Sequence, residues 1–259
     1  MARETTSALA LPQALSLVGR RVLVTGAASG IGRATAYCLA QLGADLVLSD
    51  RDPLDAVGRE LEALGAVPAV SQGDLRDDAC LQRLVESGPY YAFASVAGVF
   101  RGPAGNAPTE AFDHVMHVNV RAPLMLASAV LDHMNPEVGG RIVLVGSSAG
   151  RTAGGRIGTP DEYATYAASK GAVHTLVKAL AHRAAMRNVL INGVAPGVVL
   201  TPLLDAVAPE LNVRRSVSPL GRNAVSDEVA WPIALLCSPA ASFISGAILD
   251  VNGGAFIAA

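Results

Sequence analysis

The chain of 259 residues has few aromatic residues (4%), three cysteines and no surplus of charge of one sign. Lysine and arginine number 20 against 22 acidic residues, so no basic excess is present to attract a nucleic-acid backbone. No apolar run approaches the roughly 18 residues that a membrane-spanning helix needs. The widely spaced Cys38, Cys80 and Cys237 offer neither a disulfide framework nor a zinc-binding spacing, and Cys38 and Cys237 are expected as core thiols. We therefore expect no nucleic-acid or membrane partner and a cytoplasmic location.

Apolar residues, in contrast, are abundant at 51% of the chain, which is enough to bury a core and excludes a disordered protein. Short apolar runs that predict buried strands alternate with longer segments of helical period. The predicted strands lie near 22–24, 46–48, 67–70, 92–96, 141–145, 189–192 and 247–251. Predicted helices include 109–134, 164–186 and 226–237. This alternation predicts an α/β fold with a doubly wound, Rossmann-like parallel sheet, with an N-terminal extension over 1–20 and a single domain over 21–259.

Two features of the amino-terminal half predict a dinucleotide site at the carboxyl ends of the strands. The glycines of segment 25–32 (TGAASGIG) permit a tight turn and close approach of a pyrophosphate to a helix N-terminus. Asp50, after the second strand, can accept hydrogen bonds from the adenosine ribose. Its carboxylate would repel a 2′-phosphate and favours NAD, whereas Arg51 could pair with that phosphate and leaves NADP open. Asp74, after the third strand, has two possible roles: it contacts the adenine edge, or it is a helix N-cap or part of a solvated turn.

A second group of residues predicts acid–base chemistry. Tyr166 and Lys170 are four residues apart and therefore share one face of a helix. A phenol with its ordinary pKa of ~10 is a poor proton donor or acceptor near neutrality, and a nearby ammonium group is expected to lower that pKa. Ser147 follows the strongest apolar strand and can hydrogen-bond a substrate oxygen on which charge develops.

With these motifs the chain resembles the short-chain dehydrogenase/reductase family, in its common form of about this length. The resemblance covers Arg21 to Gly254. The residues that carry it are Thr25-Gly26, Gly30-Ile31-Gly32, Asp74, Asn119, Ser147, Tyr166, Lys170, Asn192, Pro196-Gly197, Thr201-Pro202 and the closing segment Phe243–Gly254. It implies an oxidoreductase that moves a hydride between a nicotinamide and an alcohol or carbonyl carbon, usually as a homotetramer or homodimer.

The resemblance also implies a role for each matching residue. Tyr166 is the general acid–base, Lys170 its activator, Ser147 the substrate anchor and Asn119 a proton-relay residue. Cofactor contacts are implied at Gly26, Ser29, Gly30, Ile31, Gly32, Asp50, Arg51, Asp74, Leu75, Ala97, Gly98, Tyr166, Lys170, Pro196, Gly197, Val199 and Thr201. The expected cofactor is NAD, with NADP left open, and the expected substrate is a small secondary alcohol or its ketone.

Two alternative functions remain beside this dehydrogenase reading. One is an NADPH-dependent 3-oxoacyl-(acyl carrier protein) reductase; the other is a regulator that senses a dinucleotide without turnover. The residues near 99–106, 148–163 and 198–222, which include a predicted substrate loop, carry no signature of a particular substrate. Arg214 and Arg215 in that loop have two possible roles: they bind a carboxylate or phosphate, or they face solvent.

The histidines receive no catalytic role from the sequence. His114 and His117 are three apart on a predicted helix, as two metal ligands could be, but no third ligand is indicated nearby and no metal is assigned. His174 and His182 are expected on the solvent side of the helix that carries Tyr166.

Overall fold

The apolar runs form the strands of a parallel sheet in the computed structural model, which describes residues 11–152, 157–212 and 218–257. The strands are β1 (Arg21–Thr25), β2 (Asp45–Asp50), β3 (Ala69–Gln72), β4 (Ala92–Ser95), β5 (Gly140–Val145), β6 (Val189–Pro196), β7 (Val199–Leu200), β8 (Ala224–Val225) and β9 (Ile248–Val251). The helices are α1 (Leu11–Leu15), α2 (Gly30–Gln41), α3 (Asp55–Glu62), α4 (Asp78–Glu86), α5 (Pro108–Met116), α6 (Ala122–His133), α7 (Ala149–Thr152), α8 (Pro160–Ala185), α9 (Pro202–Val207) and α10 (Ser226–Cys237). A π-helical turn spans His117–Arg121, and 3₁₀ turns span Pro209–Asn212 and Pro239–Ala241.

Seven strands form one sheet in the order β3-β2-β1-β4-β5-β6-β9, and every neighbouring pair is parallel. The chain first winds from β1 outward to β3 and then returns to β4 and winds the other way. Between β1 and β4 the direction of winding reverses, and ligands of such sheets bind in the crevice at that point. The predicted doubly wound, Rossmann-like α/β fold is confirmed.

Helices cover both faces of this sheet because its central strands are apolar on both sides. On one face, α2 and α10 pack on each other and on the sheet, through residues such as Leu39 and Ile233. On the other face, α4, α6 and α8 bury a second cluster that includes Leu84, Leu126 and Val177. Two packed layers on a rigid sheet hold the carboxyl ends of the strands in fixed positions.

Two predicted helices have different limits in the structure. The segment 109–134 is divided into α5 and α6 by the π-helical turn, where the Ala122 N–H donates to the His117 carbonyl. Helix α8 begins at Pro160, four residues before the predicted start. Thr159 and Glu162 form a capping box there, with the Thr159 N–H donating to the Glu162 carboxylate at 2.8 Å.

All three cysteines are buried as free thiols, which confirms the prediction for Cys38 and Cys237. Burial raises the pKa of each of these two thiols to about 12, because a thiolate there would lose its hydration.

Among the helices of the described residues, none is both long enough and apolar enough to cross a lipid bilayer.

Candidate active site

The turn between β1 and α2 is shaped so that only glycine fits at two of its positions. Gly26 has φ +73°, and a Cβ on it would lie 2.7 Å from the Ala97 backbone of the neighbouring strand connection. A Cβ on Gly32 would overlap the Gly26 carbonyl group. The bare backbone therefore forms a cradle at the N-terminus of α2, where N–H groups and the helix dipole favour a phosphate.

Asp50 ends β2 beside this turn and is held there by two backbone donors. Its Oδ2 accepts from the Ala28 N–H at 2.9 Å, and its Oδ1 accepts from the Asp52 N–H at 3.0 Å. A carboxylate has about four lone-pair positions, so acceptor capacity remains for ribose hydroxyls. The neighbouring Arg51 is exposed and lies 3.7 Å from the Asp52 carboxylate.

A cleft of about 340 Å³ runs along the carboxyl ends of the strands from this turn. Most of the residues expected to contact a cofactor line it. These are Gly26, Ser29, Gly30, Ile31, Gly32, Asp50, Arg51, Asp74, Leu75, Ala97, Gly98 and Thr201. The cleft is also lined by residues for which the sequence predicted no cofactor contact, among them Asp52, Val96, Val99, His114, Val118, Leu203 and Ala206.

Pro196, Gly197 and Val199 are outside the lining of this cleft, as are Tyr166 and Lys170. Pro196 ends β6, Val199 begins β7, and Gly197 lies between the two strands. The Pro196 carbonyl accepts from the Ser148 N–H at 2.8 Å, which joins the end of β6 to the residue after Ser147. Thr201 begins α9 as its N-cap, with its hydroxyl accepting from the Leu204 N–H at 3.3 Å.

Asn119 lies in the π-helical turn and is 1% exposed. Its Oδ1 accepts from the Val99 N–H and its Nδ2 donates to the Val99 carbonyl, both at 2.8 Å. The same Nδ2 donates to the Ser169 hydroxyl at 3.0 Å. Asn119 thus fastens the connection after β4 to the middle of α8, next to Lys170.

Ser147, Tyr166 and Lys170 meet at the carboxyl end of β5. The Ser147 and Tyr166 side chains are hydrogen-bonded to each other, and the Ser147 oxygen also accepts from the Ala149 N–H at 3.1 Å. The Lys170 ammonium group donates to the Val145 carbonyl at 3.0 Å and lies 5.8 Å from the centre of the Tyr166 ring. One phenol, one hydroxyl and one ammonium group therefore converge on a single position beside the cleft.

Burial dominates the electrostatics of these groups. It lowers the pKa of Lys170 to about 8, since the ammonium group is removed from water. Burial also raises the pKa of Tyr166, and the hydrogen bond from Ser147 opposes that rise. The Lys170 ammonium group is directed to the Val145 carbonyl, and the expected lowering of the Tyr166 pKa by Lys170 stays a prediction.

Comparison with known proteins identifies the family of this chain. A family model described as Enoyl-(Acyl carrier protein) reductase matches residues 26–255. The chain is 34% identical to the 3-oxoacyl-[acyl-carrier-protein] reductase of Thermotoga maritima, over 94% of this chain and 100% of that protein. The chain belongs to the short-chain dehydrogenase/reductase family. It is thus an oxidoreductase of a family that binds NAD(P).

Two solved structures show the same fold with each form of the nicotinamide cofactor. A 7α-hydroxysteroid dehydrogenase in complex with NADH and 7-oxo glycochenodeoxycholic acid has a TM-score of 0.84 and 29% identity, over 95% of this chain and 98% of that one. A 3-oxoacyl (acyl-carrier-protein) reductase from Agrobacterium tumefaciens with bound NADP has a TM-score of 0.83 and 27% identity, over 96% of this chain and 99% of that one. The Gly26 cradle fits the pyrophosphate of such a dinucleotide, and the Asp50 carboxylate can accept from the hydroxyls of its adenosine ribose.

The prediction that His174 of this short-chain dehydrogenase/reductase faces solvent is wrong. It is 6% exposed instead of facing solvent, and its Nε2 accepts from the Ser147 N–H at 3.4 Å. Burial lowers its pKa to about 4, so the imidazole is neutral and can accept this hydrogen bond. Its spacing could have indicated this burial, since His174 lies four residues after Lys170 on the same helix face. His182 is exposed, as predicted.

Asp74 makes an ion pair that the sequence did not indicate. Arg76 contacts its carboxylate through two guanidinium nitrogens, the shortest distance being 2.6 Å, and this hydrogen bonding lowers the pKa of Asp74. The N-cap of α4 is Asp77, so the alternative of Asp74 as that cap is wrong. A contact of Asp74 with adenine stays a prediction.

Parts of the predicted substrate region lie outside the described residues. These parts are residues 153–156, in the long connection between Ser147 and Tyr166, and residues 213–217, which include Arg214 and Arg215. Within the ranges that the structure describes, no group of three or more His, Cys, Asp and Glu side chains is placed to hold a metal ion.

Proposed function

We propose that this enzyme interconverts a secondary alcohol and its ketone with NAD(H), using Tyr166 as the general acid–base. The observation that carries the proposal is the convergence of Ser147, Tyr166 and Lys170, with the Lys170 ammonium group next to Gly98 in the wall of the cleft. When bound, the dinucleotide accepts or supplies the hydride. The chain's own residues position the oxygen of the substrate and move its proton.

Each catalytic group has one task in this scheme. The Ser147 hydroxyl and the Tyr166 hydroxyl hold the substrate oxygen between them. In oxidation the Tyr166 phenolate removes the hydroxyl proton, and in reduction the Tyr166 phenol returns a proton to the carbonyl oxygen. Because burial raises the pKa of Tyr166, the phenol predominates at neutral pH and oxidation speeds up as the pH rises. Lys170 and Asn119 relay this proton from Tyr166 toward solvent.

Preference for NAD over NADP rests on Asp50. Its carboxylate is fixed beside the cradle by the Ala28 and Asp52 N–H groups, where a 2′-phosphate would meet like charge. Arg51, which could pair with that phosphate, is already beside Asp52.

A second candidate function is an NADPH-dependent 3-oxoacyl-(acyl carrier protein) reductase. The likeness to the Thermotoga maritima reductase over its whole length, and to the NADP-bound Agrobacterium tumefaciens structure, supports it. This reaction uses the same Ser147, Tyr166 and Lys170 and differs in the cofactor and in the acyl substrate.

The proposed assembly is a homotetramer or homodimer in the cytoplasm. Large apolar side chains stay exposed near the carboxyl-terminal end of the described residues, and burying them would release water from apolar surface. These side chains are Trp231 (43% exposed), Phe243 (101%), Leu249 (41%) and Ile257 (81%). Light scattering after gel filtration measures the assembly, and a monomer would contradict it.

The experiment is a screen at 340 nm of secondary alcohols, ketones and acetoacetyl-coenzyme A, run in parallel with NAD(H) and NADP(H). Turnover of a ketone or alcohol with NAD(H), lost in Ser147→Ala, is the expected result. Turnover of acetoacetyl-coenzyme A with NADPH alone selects the second candidate. Binding of NADH without any turnover supports the regulator and contradicts both enzymes.

A further inference from the structure

His114 is a buried imidazole on α5 for which neither the fold nor the proposed chemistry gives a use. The residue is 6% exposed. Its Nδ1 is buried and meets no hydrogen-bond partner among residues 11–152, 157–212 and 218–257. Buried polar atoms in folded proteins are usually paired, because an unpaired one has lost water and gained nothing in return.

His114 lies at the end of the cleft that is formed by the residues after β3. It lines the cleft together with Asp74, Leu75 and Val118. Asp74 follows β3 and Ser147 follows β5, and these strands are separated by β2, β1 and β4. Four strand spacings of ~4.8 Å place the His114 end about 19 Å from the catalytic end. A dinucleotide with its nicotinamide beside Tyr166 and its phosphates at Gly26 would extend its adenine toward this end.

The imidazole can turn a nitrogen toward that position without repacking. Rotation about the Cβ–Cγ bond exchanges Nδ1 and Cδ2 within nearly the same ring outline. No protein partner holds Nδ1 in its present orientation. Burial and the guanidinium groups of Arg76 and Arg51 lower the pKa of His114, and Asp74 opposes them only in part. The ring is therefore neutral at pH 7 and offers one donor and one acceptor nitrogen.

We propose that His114 hydrogen-bonds the adenine base of the dinucleotide. An adenine edge presents an amino group that donates and ring nitrogens that accept, so it matches either tautomer of a neutral imidazole. Asp74, the residue expected there from sequence, is engaged by Arg76. The inference rests on the proposed function, because it takes dinucleotide binding in this cleft as given.

Isothermal titration calorimetry with ADP-ribose tests the base contact without any turnover. The proteins are the full-length wild type, His114→Leu, His114→Asn and His117→Leu. Loss of one hydrogen bond predicts about 3- to 10-fold weaker binding by His114→Leu. Asn places an amide atom near the position of Nδ1, so His114→Asn is expected to bind more tightly than His114→Leu. His117 is exposed on the adjoining π-helical turn, and its substitution is the matched control with unchanged affinity.

A structural role for His114 gives the opposite ranking. If the ring only fills space, Leu replaces it well and the smaller, polar Asn does not, so His114→Leu would bind at least as tightly as His114→Asn. That result, or wild-type affinity in His114→Leu, overturns the inference. Thermal unfolding of the four proteins without ligand separates loss of fold from loss of the contact.

Failure of the wild type to bind ADP-ribose and NADH would overturn the proposed function together with the inference. Equal binding by all four proteins overturns the inference alone.

Discussion

The two ends of the cleft, the cofactor end at Gly26 and Asp50 and the catalytic end beside Ser147 and Lys170, depend on different kinds of chemical group. At the cofactor end, recognition depends on backbone shape, with Gly26 at φ +73° and Asp50 held by backbone N–H groups. At the catalytic end it depends on buried polar side chains, Ser147, Lys170 and His174, which are 8%, 4% and 6% exposed. The cofactor end is thus specified by backbone geometry at the ends of β1 and β2, whereas the catalytic end is specified by packing between β5 and α8.

This difference has an energetic consequence. Backbone recognition requires no buried charge, so the cofactor end can contribute to stability and binding together. The catalytic end keeps an ammonium group in the interior, which costs folding free energy because the charged form is desolvated. Activity at that end should therefore oppose stability, and the two ends should respond differently to substitution.

The largest expected effect follows from removing the buried charge. Lys170→Met keeps the length of the side chain and should lower turnover by at least about 100-fold, since Tyr166 loses its activating group. The same change should raise the free energy of unfolding by about 1 kcal/mol at pH 7, because burial holds the pKa of Lys170 at about 8 and the ammonium group is costly there. Thermal unfolding and the 340-nm assay measure the two quantities.

Lys178→Met is the matched control, because Lys178 is an exposed lysine on the same helix. It should change neither quantity appreciably. A Lys170→Met protein that is less stable and fully active would remove the contrast between the two ends.

The next effect concerns the cradle. Gly26→Ala should weaken NADH binding by about 10-fold or more, because the added Cβ meets the Ala97 backbone and a positive φ is strained for alanine. Gly65→Ala is the comparison, since Gly65 has φ +83° and open space around it. It should cost about 1 kcal/mol of stability and leave NADH binding unchanged. Fluorescence titration and chemical denaturation measure these effects, and equal binding by both variants would contradict the role of the cradle.

A smaller effect is expected for cofactor choice. Asp50→Asn removes the negative charge and keeps an amide oxygen, so the preference for NADH over NADPH should fall by about 10-fold, which corresponds to 1.4 kcal/mol. The ratio of kcat/KM values for the two cofactors is the measurement. A ratio that does not move would assign the preference to another residue.

The last effect concerns stability in acid and is confined to pH values below about 6.5. The pKa of His174 is lowered to about 4, so its contribution to stability is complete above pH 6.5 and is lost as the pH falls toward 4. His174→Gln retains an acceptor near Nε2 without this titration and should flatten the decline between pH 6.5 and 4. Denaturant unfolding of both proteins across that range measures it. Parallel curves would show that His174 is not the titrating group.

Sequence reasoning succeeded where a motif acts through adjacent residues. The turn 25–32, Asp50 after β2 and the four-residue spacing of Tyr166 and Lys170 could all be placed before the structure, because each depends on local backbone geometry. The parallel, doubly wound sheet followed from the alternation of apolar runs and helices, whereas the order of its strands came from the structure.

What the sequence did not predict depends on contacts between distant elements. The neutral, buried state of His174 comes from packing against the residue after β5, and the raised pKa of Tyr166 comes from burial. The π-helical turn at Asn119 and the pairing of Asp74 with Arg76 have no periodic signal either. Spacing locates a side chain on a helix face, but its protonation is decided by its neighbours.

The most direct test of the account separates binding from chemistry in a single variant. Tyr166→Phe is compared with the wild type and with Tyr163→Phe, which removes the neighbouring phenol on the same helix. NADH affinity is measured by fluorescence and turnover at 340 nm with a substrate found in the screen. We predict that Tyr166→Phe binds NADH within about 2-fold of wild type and loses at least about 100-fold in turnover, while Tyr163→Phe remains active. Turnover by Tyr166→Phe at the wild-type rate would contradict the assignment of Tyr166 as the acid–base.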